Sequence, residues 1–192
     1  GIATNFFLQS ALYVLVVATQ LMIRLPKRVT SAAEAPALVA VRDGLRLAYT
    51  DRNLRVLVIT GVLPFVFVFG GWNTLFPALV RDSFGAGAAA LGWIMTGIGA
   101  GGLAGGLAST RLARFDRPGL VQTVAQLVLG AGVIGVSIAP NVPVAVGFAF
   151  LIGVGEMLHW ATNQTLVQLA TPADYRGRIT SLLAVFPAFI SI

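Results

Sequence analysis

The sequence predicts an all-α, polytopic membrane protein, and three observations carry that prediction. The 192 residues are 57% hydrophobic and 10% charged, with a mean hydropathy of +0.86. A soluble domain of this size cannot hide so much apolar surface, because much of its exterior stays wet. The apolar residues fall in runs of about 20, the length a helix needs to cross the hydrocarbon core. Finally, every Lys and Arg except Arg81 lies in alternate gaps between those runs, the one-sided pattern of cytoplasmic loops.

Taken in order, the first span is Ile2–Ile23, closed by Arg24, Lys27 and Arg28. Residues 24–55 form a long cytoplasmic connection. Within it Pro36 starts an amphipathic helix with Leu38, Val41, Leu45 and Ala48/Tyr49 on one face. That face suits either the inner membrane surface or packing on the protein itself. The partial helical bundle of residues 56–192 follows. Its spans are Val56–Val80, Leu91–Thr110, about Leu120–Ala139, about Val144–Leu169 and a truncated Ile179–Ile192. The expectation is therefore five full crossings and one partial one, with the N-terminus outside. The last run holds about 14 residues, or about 21 Å of helix, and Gly1 already lies in an apolar run. The chain is thus expected to be a piece of a longer protein.

Several chemistries are set aside. The net charge of +6 flanks the spans instead of forming a basic stripe, so nucleic acid is not an expected partner. Without cysteine there are no disulfides, thiolate sites or Cys nucleophiles. The single histidine, His159, lies mid-span among few carboxylates, so neither a metal site nor a Ser-His-Asp arrangement is expected. No cofactor and no enzyme activity are expected.

Gly97-Ile98-Gly99-Ala100-Gly101-Gly102 matches a dinucleotide fingerprint in letters only, because it lies in a span with no preceding strand. Gly97, Gly101 and Gly105 at spacing four instead suit close helix packing in lipid. Glu156 is the only acidic residue inside a predicted span. A charged carboxylate there costs at least about 2.5 kcal/mol, so such residues face a cavity, a partner or a proton path. His159, Trp160 and Asn163 share roughly its face. That face reads either as a proton-coupling and substrate-contacting surface or as a hydrogen-bonded packing cluster. Phe65, Phe69, Trp72 and Phe76 stripe the second span beside Asn73, with Pro64 and Pro77 interrupting its helix and the pair Gly70-Gly71 between them. This suits a bendable helix beside a cavity, or plain packing. Gln122 and Gln126 suit interhelical hydrogen bonds. Pro172, Arg176, Gly177 and Arg178 form a short basic turn anchored at the anionic inner leaflet.

Certain strings carry a resemblance. Asn163…Gln168…Pro172…Arg176-Gly177-Arg178 resembles the turn between helices ten and eleven of major facilitator superfamily transporters, in the branch containing the enterobactin exporter and macrolide-efflux proteins. Asp43-Gly44-Leu45-Arg46 with Asp51-Arg52-Asn53-Leu54-Arg55 is similar to that branch's central loop. Arg81-Asp82-Ser83-Phe84-Gly85 with Leu91-Gly92-Trp93 is similar to its seven-to-eight connection. One position departs: Arg114 stands where the family's gating motif has Asp, and Asp116 is displaced by two residues.

The resemblance covers essentially the whole chain, as helices six to eleven. It implies alternating access between this bundle and a preceding six-helix bundle of the same protein, in a bacterial cytoplasmic membrane. Helices seven and ten would line the cavity. The implied function is proton-coupled efflux of an amphipathic small molecule such as a drug, macrolide or siderophore. Glu156 and His159 would couple protons, and Trp72, Asn73, Trp160 and Asn163 would contact substrate. The alternative is a sensor or assembly subunit that keeps the fold without transporting.

Overall fold

In the computed structural model the described residues are 2–22, 37–64 and 70–180. Among them the secondary structure is helical, with no strand. The chain divides into two units, Gly1–Ala35 and Pro36–Ile192. The first contains α1, Ile2–Leu21, whose described side chains, Phe6, Phe7 and Tyr13 among them, are exposed.

Among the described residues the second unit includes the helices α2 (Ala37–Thr50), α3 (Arg52–Pro64), α4 (Gly70–Asp82), α5 (Ala88–Leu112), α6 (Pro118–Ser137) and α7 (Val142–Ala170). Local chemistry marks their ends. Asp51 caps α3, its carboxylate accepting from the Asn53 and Leu54 amides at 2.8 and 2.9 Å. Gly85, at φ 57°, takes the left-handed turn between α4 and α5 that a side chain would resist. Pro118 opens α6 at a position where a missing N–H costs nothing. Asn141 caps α7 through the Val144 amide at 3.1 Å, and Pro143 follows within the first turn.

Three helices among the described residues are long and apolar enough to cross a membrane: α5 with 25 residues, α6 with 20 and α7 with 29. They match the third, fourth and fifth expected spans to within three residues at each end. The expected count of five full crossings is not supported. Within the predicted span 56–80 the described residues fall in α3 and α4. Residues 65–69, with Phe65 and Phe69, lie outside the described residues, as do Ile23, the linker to Pro36 and residues 181–192 of the expected truncated span. Residues 176–180 are helical.

α7 packs along both α5 and α6, and its glycine contacts with α5 are main chain against main chain. A Cβ on Gly97 would stand 2.8 Å from the Val146 carbonyl oxygen, and one on Gly105 2.6 Å from that of Val154. Between them, a Cβ on Gly101 would collide with the Phe150 carbonyl. α7 reciprocates: a Cβ on Gly153 would collide with the Ile98 carbonyl of α5, and one on Gly155 would stand 2.6 Å from Leu129 N of α6. Gly132 and Gly135 of α6 receive Ile152 and Phe148. Around these contacts Phe76, Val80, Ile94, Leu129, Val136, Ala145, Ala149 and Ile152 form the apolar core. The face of α5 that carries Gly92 and Gly99 is open.

The amphipathic α2 packs on the protein. Ala48 is buried in a second cluster with Val167 of α7 and Ile179, flanked by Leu57, Val58 and Val62 of α3. Leu45 and Tyr49, assigned by periodicity to the same face as Ala48, are exposed. Asp43 accepts from Arg178 Nη1 at 3.2 Å, and Gly44 lies against Arg178 with room for a Cβ, which would meet Arg178 Cβ at an ordinary 3.5 Å.

Gly101→Ala is expected to destabilise the protein by about 1–3 kcal/mol, because backbone must shift to admit the methyl. Gly99→Ala, in open space, is expected to cost nothing and to gain up to about 1 kcal/mol of helix propensity. Thermal melting of the purified protein checks the pair. Equal effects at the two positions would contradict the packing described. For the half-exposed Asp43–Arg178 pair, Arg178→Asp is expected to cost about 1 kcal/mol, and the double exchange with Asp43→Arg to recover most of it in the same measurement.

Candidate functional site

Two regions gather the polar residues singled out in the sequence. The first is the seam between α3 and α7. Asn163 is 1% exposed, His159 3% and Gln122 of α6 6%, in a bundle whose surroundings are apolar. The Asn163 amide donates to the Leu57 carbonyl at 3.0 Å. Gln122 Nε2 donates to Thr60 Oγ1 at 3.2 Å, and that hydroxyl donates to the Leu57 carbonyl at 3.2 Å. A Cβ on Gly61 would stand 2.8 Å from Asn163 Oδ1, so glycine there makes room for the amide. The Thr60 main chain lies beside the His159 ring, yet neither ring nitrogen has a partner in hydrogen-bonding geometry.

The α7 residues of this seam follow from helical spacing, since His159 and Asn163 stand four apart and project together. Glu156, three residues before His159, is partly buried, as is Trp160. Asn163 thus ties α7 to α3 in this conformation and faces no open space. Trp72 and Asn73 fall on α4, and their side chains lie outside the described residues. Thr60 and Gly61 carry no mark in the sequence that distinguishes them from other small residues of a span. The hydrogen bond of Gln122, by contrast, is the interhelical bond its place on α6 predicts.

The second region is the turn after α7. Thr171 is 2% exposed and donates from its hydroxyl to the Val167 carbonyl at 2.6 Å. Pro172 then starts the 3-10 turn Ala173–Tyr175, closed by Tyr175 N to the Pro172 carbonyl at 2.9 Å. Arg176 Nε reaches back to the Thr171 carbonyl at 3.3 Å. Arg178 lies over the Tyr175 ring, 5.0 Å from its centroid, while pairing with Asp43. Beside it a groove of about 320 Å³ is lined by Asp43, Arg46, Leu47, Thr50 and Tyr175. Two strings far apart in sequence, Asp43-Gly44 and Pro172–Arg178, are therefore one structural unit, a pairing across 135 residues that local reading cannot supply.

Outside the spans, Asp82 pairs with Arg81 at 2.7 Å. That hydrogen bond holds the Asp82 carboxyl below the usual carboxylate range and raises the Arg81 guanidinium. Both side chains are largely exposed, so the pair contributes little to stability. Among the described residues no group of three or more His, Cys, Asp or Glu is placed to hold a metal ion.

Comparison with known proteins agrees with a membrane bundle of this kind. Residues 1–189 match the family described as transmembrane secretion effector, within the major facilitator superfamily. No curated protein and no solved structure matches the chain. Nearly the full length is covered, spans and connections together, and the chain belongs to the transmembrane secretion effector family of major facilitator transporters.

Proposed function

We propose that this chain is half of a proton-coupled exporter of amphipathic small molecules, working by alternating access in a bacterial cytoplasmic membrane. The observation that carries the reading is Glu156, a partly buried carboxyl in the middle of the 29-residue apolar α7. Retaining an ionisable group in hydrocarbon is costly. α7 is also the helix on which α5 and α6 both pack, so a charge gained or lost there acts on the packing of the whole bundle.

Glu156 takes up and releases protons, with His159 one turn further along α7. Substrate contacts come from Trp72, Asn73, Trp160 and Asn163. Asn163 becomes available only when α3 moves away and its bond to the Leu57 carbonyl opens. Protonation and substrate then favour different bundle orientations, which is the differential affinity that coupling requires. The family membership supports transport, and the resemblance of the Pro172–Arg178 turn supports the enterobactin and macrolide branch. The one-sided Lys and Arg place α1 with its N-terminus outside and the groove beside Arg178 in the cytoplasm. The predicted spans 2–23, 56–80 and 179–192 complete helices six, seven and eleven. A six-helix bundle of the same protein is the partner across the cavity.

Glu156→Gln in the intact transporter is expected to lower proton-driven efflux of a fluorescent amphipathic dye from everted vesicles by about tenfold or more. The remaining efflux is expected to lose its pH dependence, while dye exchange without a gradient persists. Unchanged efflux with an unchanged pH profile would remove the proton role from Glu156.

A further inference from the structure

Gly44 and Ala48 of α2 are buried, whereas Arg42, Leu45, Arg46 and Tyr49, at helical spacing on its other side, are exposed. α3 continues the pattern. Arg52, Arg55, Val56, Ile59 and Leu63 form one exposed stripe along it, while Leu54 and Gly61 are buried. The stripe changes character along its length, from guanidinium in the first turn to aliphatic from Val56 onward. Arg55 and Ile59 are only about 6 Å apart along the helix axis. On the outside of a membrane bundle such a boundary marks the level at which hydrocarbon gives way to headgroups.

The protein does not neutralise the charges at this level. Among the described residues the ion pairs are Arg81–Asp82 and Arg178–Asp43, and neither engages Arg42, Arg46, Arg52 or Arg55. The two acids beside these arginines are occupied: Asp43 is met by Arg178, and Asp51 accepts from the Asn53 and Leu54 amides. Arg55 lies over the Tyr49 ring, 5.9 Å from its centroid, which joins the exposed sides of α2 and α3 into one surface. Tyr49 is 76% exposed and Leu45 47%, so apolar groups are interleaved with the arginines. A free anion would use the guanidinium groups and leave Leu45 and Tyr49 in water. An anionic phospholipid uses both, its phosphate on arginine and its acyl chains beside the apolar groups.

We propose that the exposed side of α2 and the first turn of α3 form a docking surface for anionic phospholipid of the inner leaflet. Arg42, Arg46, Arg52 and Arg55 take the headgroups, and Leu45 and Tyr49 sit at the acyl boundary. The opposite side of α2 holds Ala48 against Val167 and Ile179. α2 is therefore gripped between bundle and leaflet, and the lipid composition bears directly on how firmly it is held. The proposal rests on residues 24–55 being cytoplasmic, and it is independent of Glu156 and of what is transported.

Amide hydrogen exchange of the purified intact protein in lipid nanodiscs tests it. Exchange across residues 42–50 is expected to be about tenfold slower in discs containing phosphatidylglycerol than in phosphatidylcholine alone. High salt is expected to remove most of that difference from the unaltered protein, because the attraction is screened. Replacing Arg42, Arg46, Arg52 and Arg55 together with Gln is expected to abolish it, with exchange in α5 unchanged. Replacing Arg111, Arg114 and Arg117 with Gln, on the neighbouring cytoplasmic gap, is expected to leave it intact. Glycerol phosphate added to phosphatidylcholine discs is expected to give no protection. Equal exchange in the two lipids overturns the proposal, as it would if another part of the protein covered this surface. Equal loss from both sets of arginines overturns it in favour of a general charge effect, and protection by glycerol phosphate overturns it in favour of a free anion. If the fourfold variant does not fold, the salt dependence in the unaltered protein decides: its presence supports the proposal and its absence overturns it.

Discussion

Everything in this bundle depends on how closely the main chain of α7 approaches its two neighbours. Within lipid, apolar side chains gain nothing by leaving their surroundings for a helix interface, so association rests on dispersion, interhelical polar contacts and shape. Glycine serves all three by removing the side chain that would hold backbones apart. Gly97, Gly101 and Gly105 face α7 from α5, Gly132 and Gly135 from α6, and Gly153 and Gly155 answer from α7 itself. Contacts made by backbone cannot relax by changing a rotamer. α5, α6 and α7 therefore form a rigid reference against which other helices are positioned.

α3 meets that reference in a different way. Its seam with α7 is built of polar side chains, Asn163, Gln122 and Thr60, around carbonyls of α3. Such contacts are directional and few, and they open one at a time, in contrast to an interlocked glycine face. Their strength in membranes is modest, averaging about 0.6 kcal/mol per pair in measured cases.

The sequence was legible where a single physical period or composition dominates. Charge-marked ends and apolar length placed α5, α6 and α7 to within three residues. Scarcity alone drew attention to the segment Glu156–Asn163, because ionisable and amide groups are costly in hydrocarbon whatever the fold. Long-range pairing was illegible. Asp43 and Arg178 look like two ordinary loop charges until α2 folds onto the turn after α7. The same limit applied to α2, whose periodic face put Leu45 with Ala48; packing against Val167 and Ile179 buried Ala48 and left Leu45 outside.

The cap at Asp51 links the two regions of the site. It starts α3 directly after α2, so α2 and α3 are consecutive. α2 is held to the turn beyond α7 by Asp43–Arg178 and by the burial of Ala48 against Val167 and Ile179. α3 is thus anchored to the two ends of one stretch of α7: through α2 at Val167, and through its own carbonyls at Asn163.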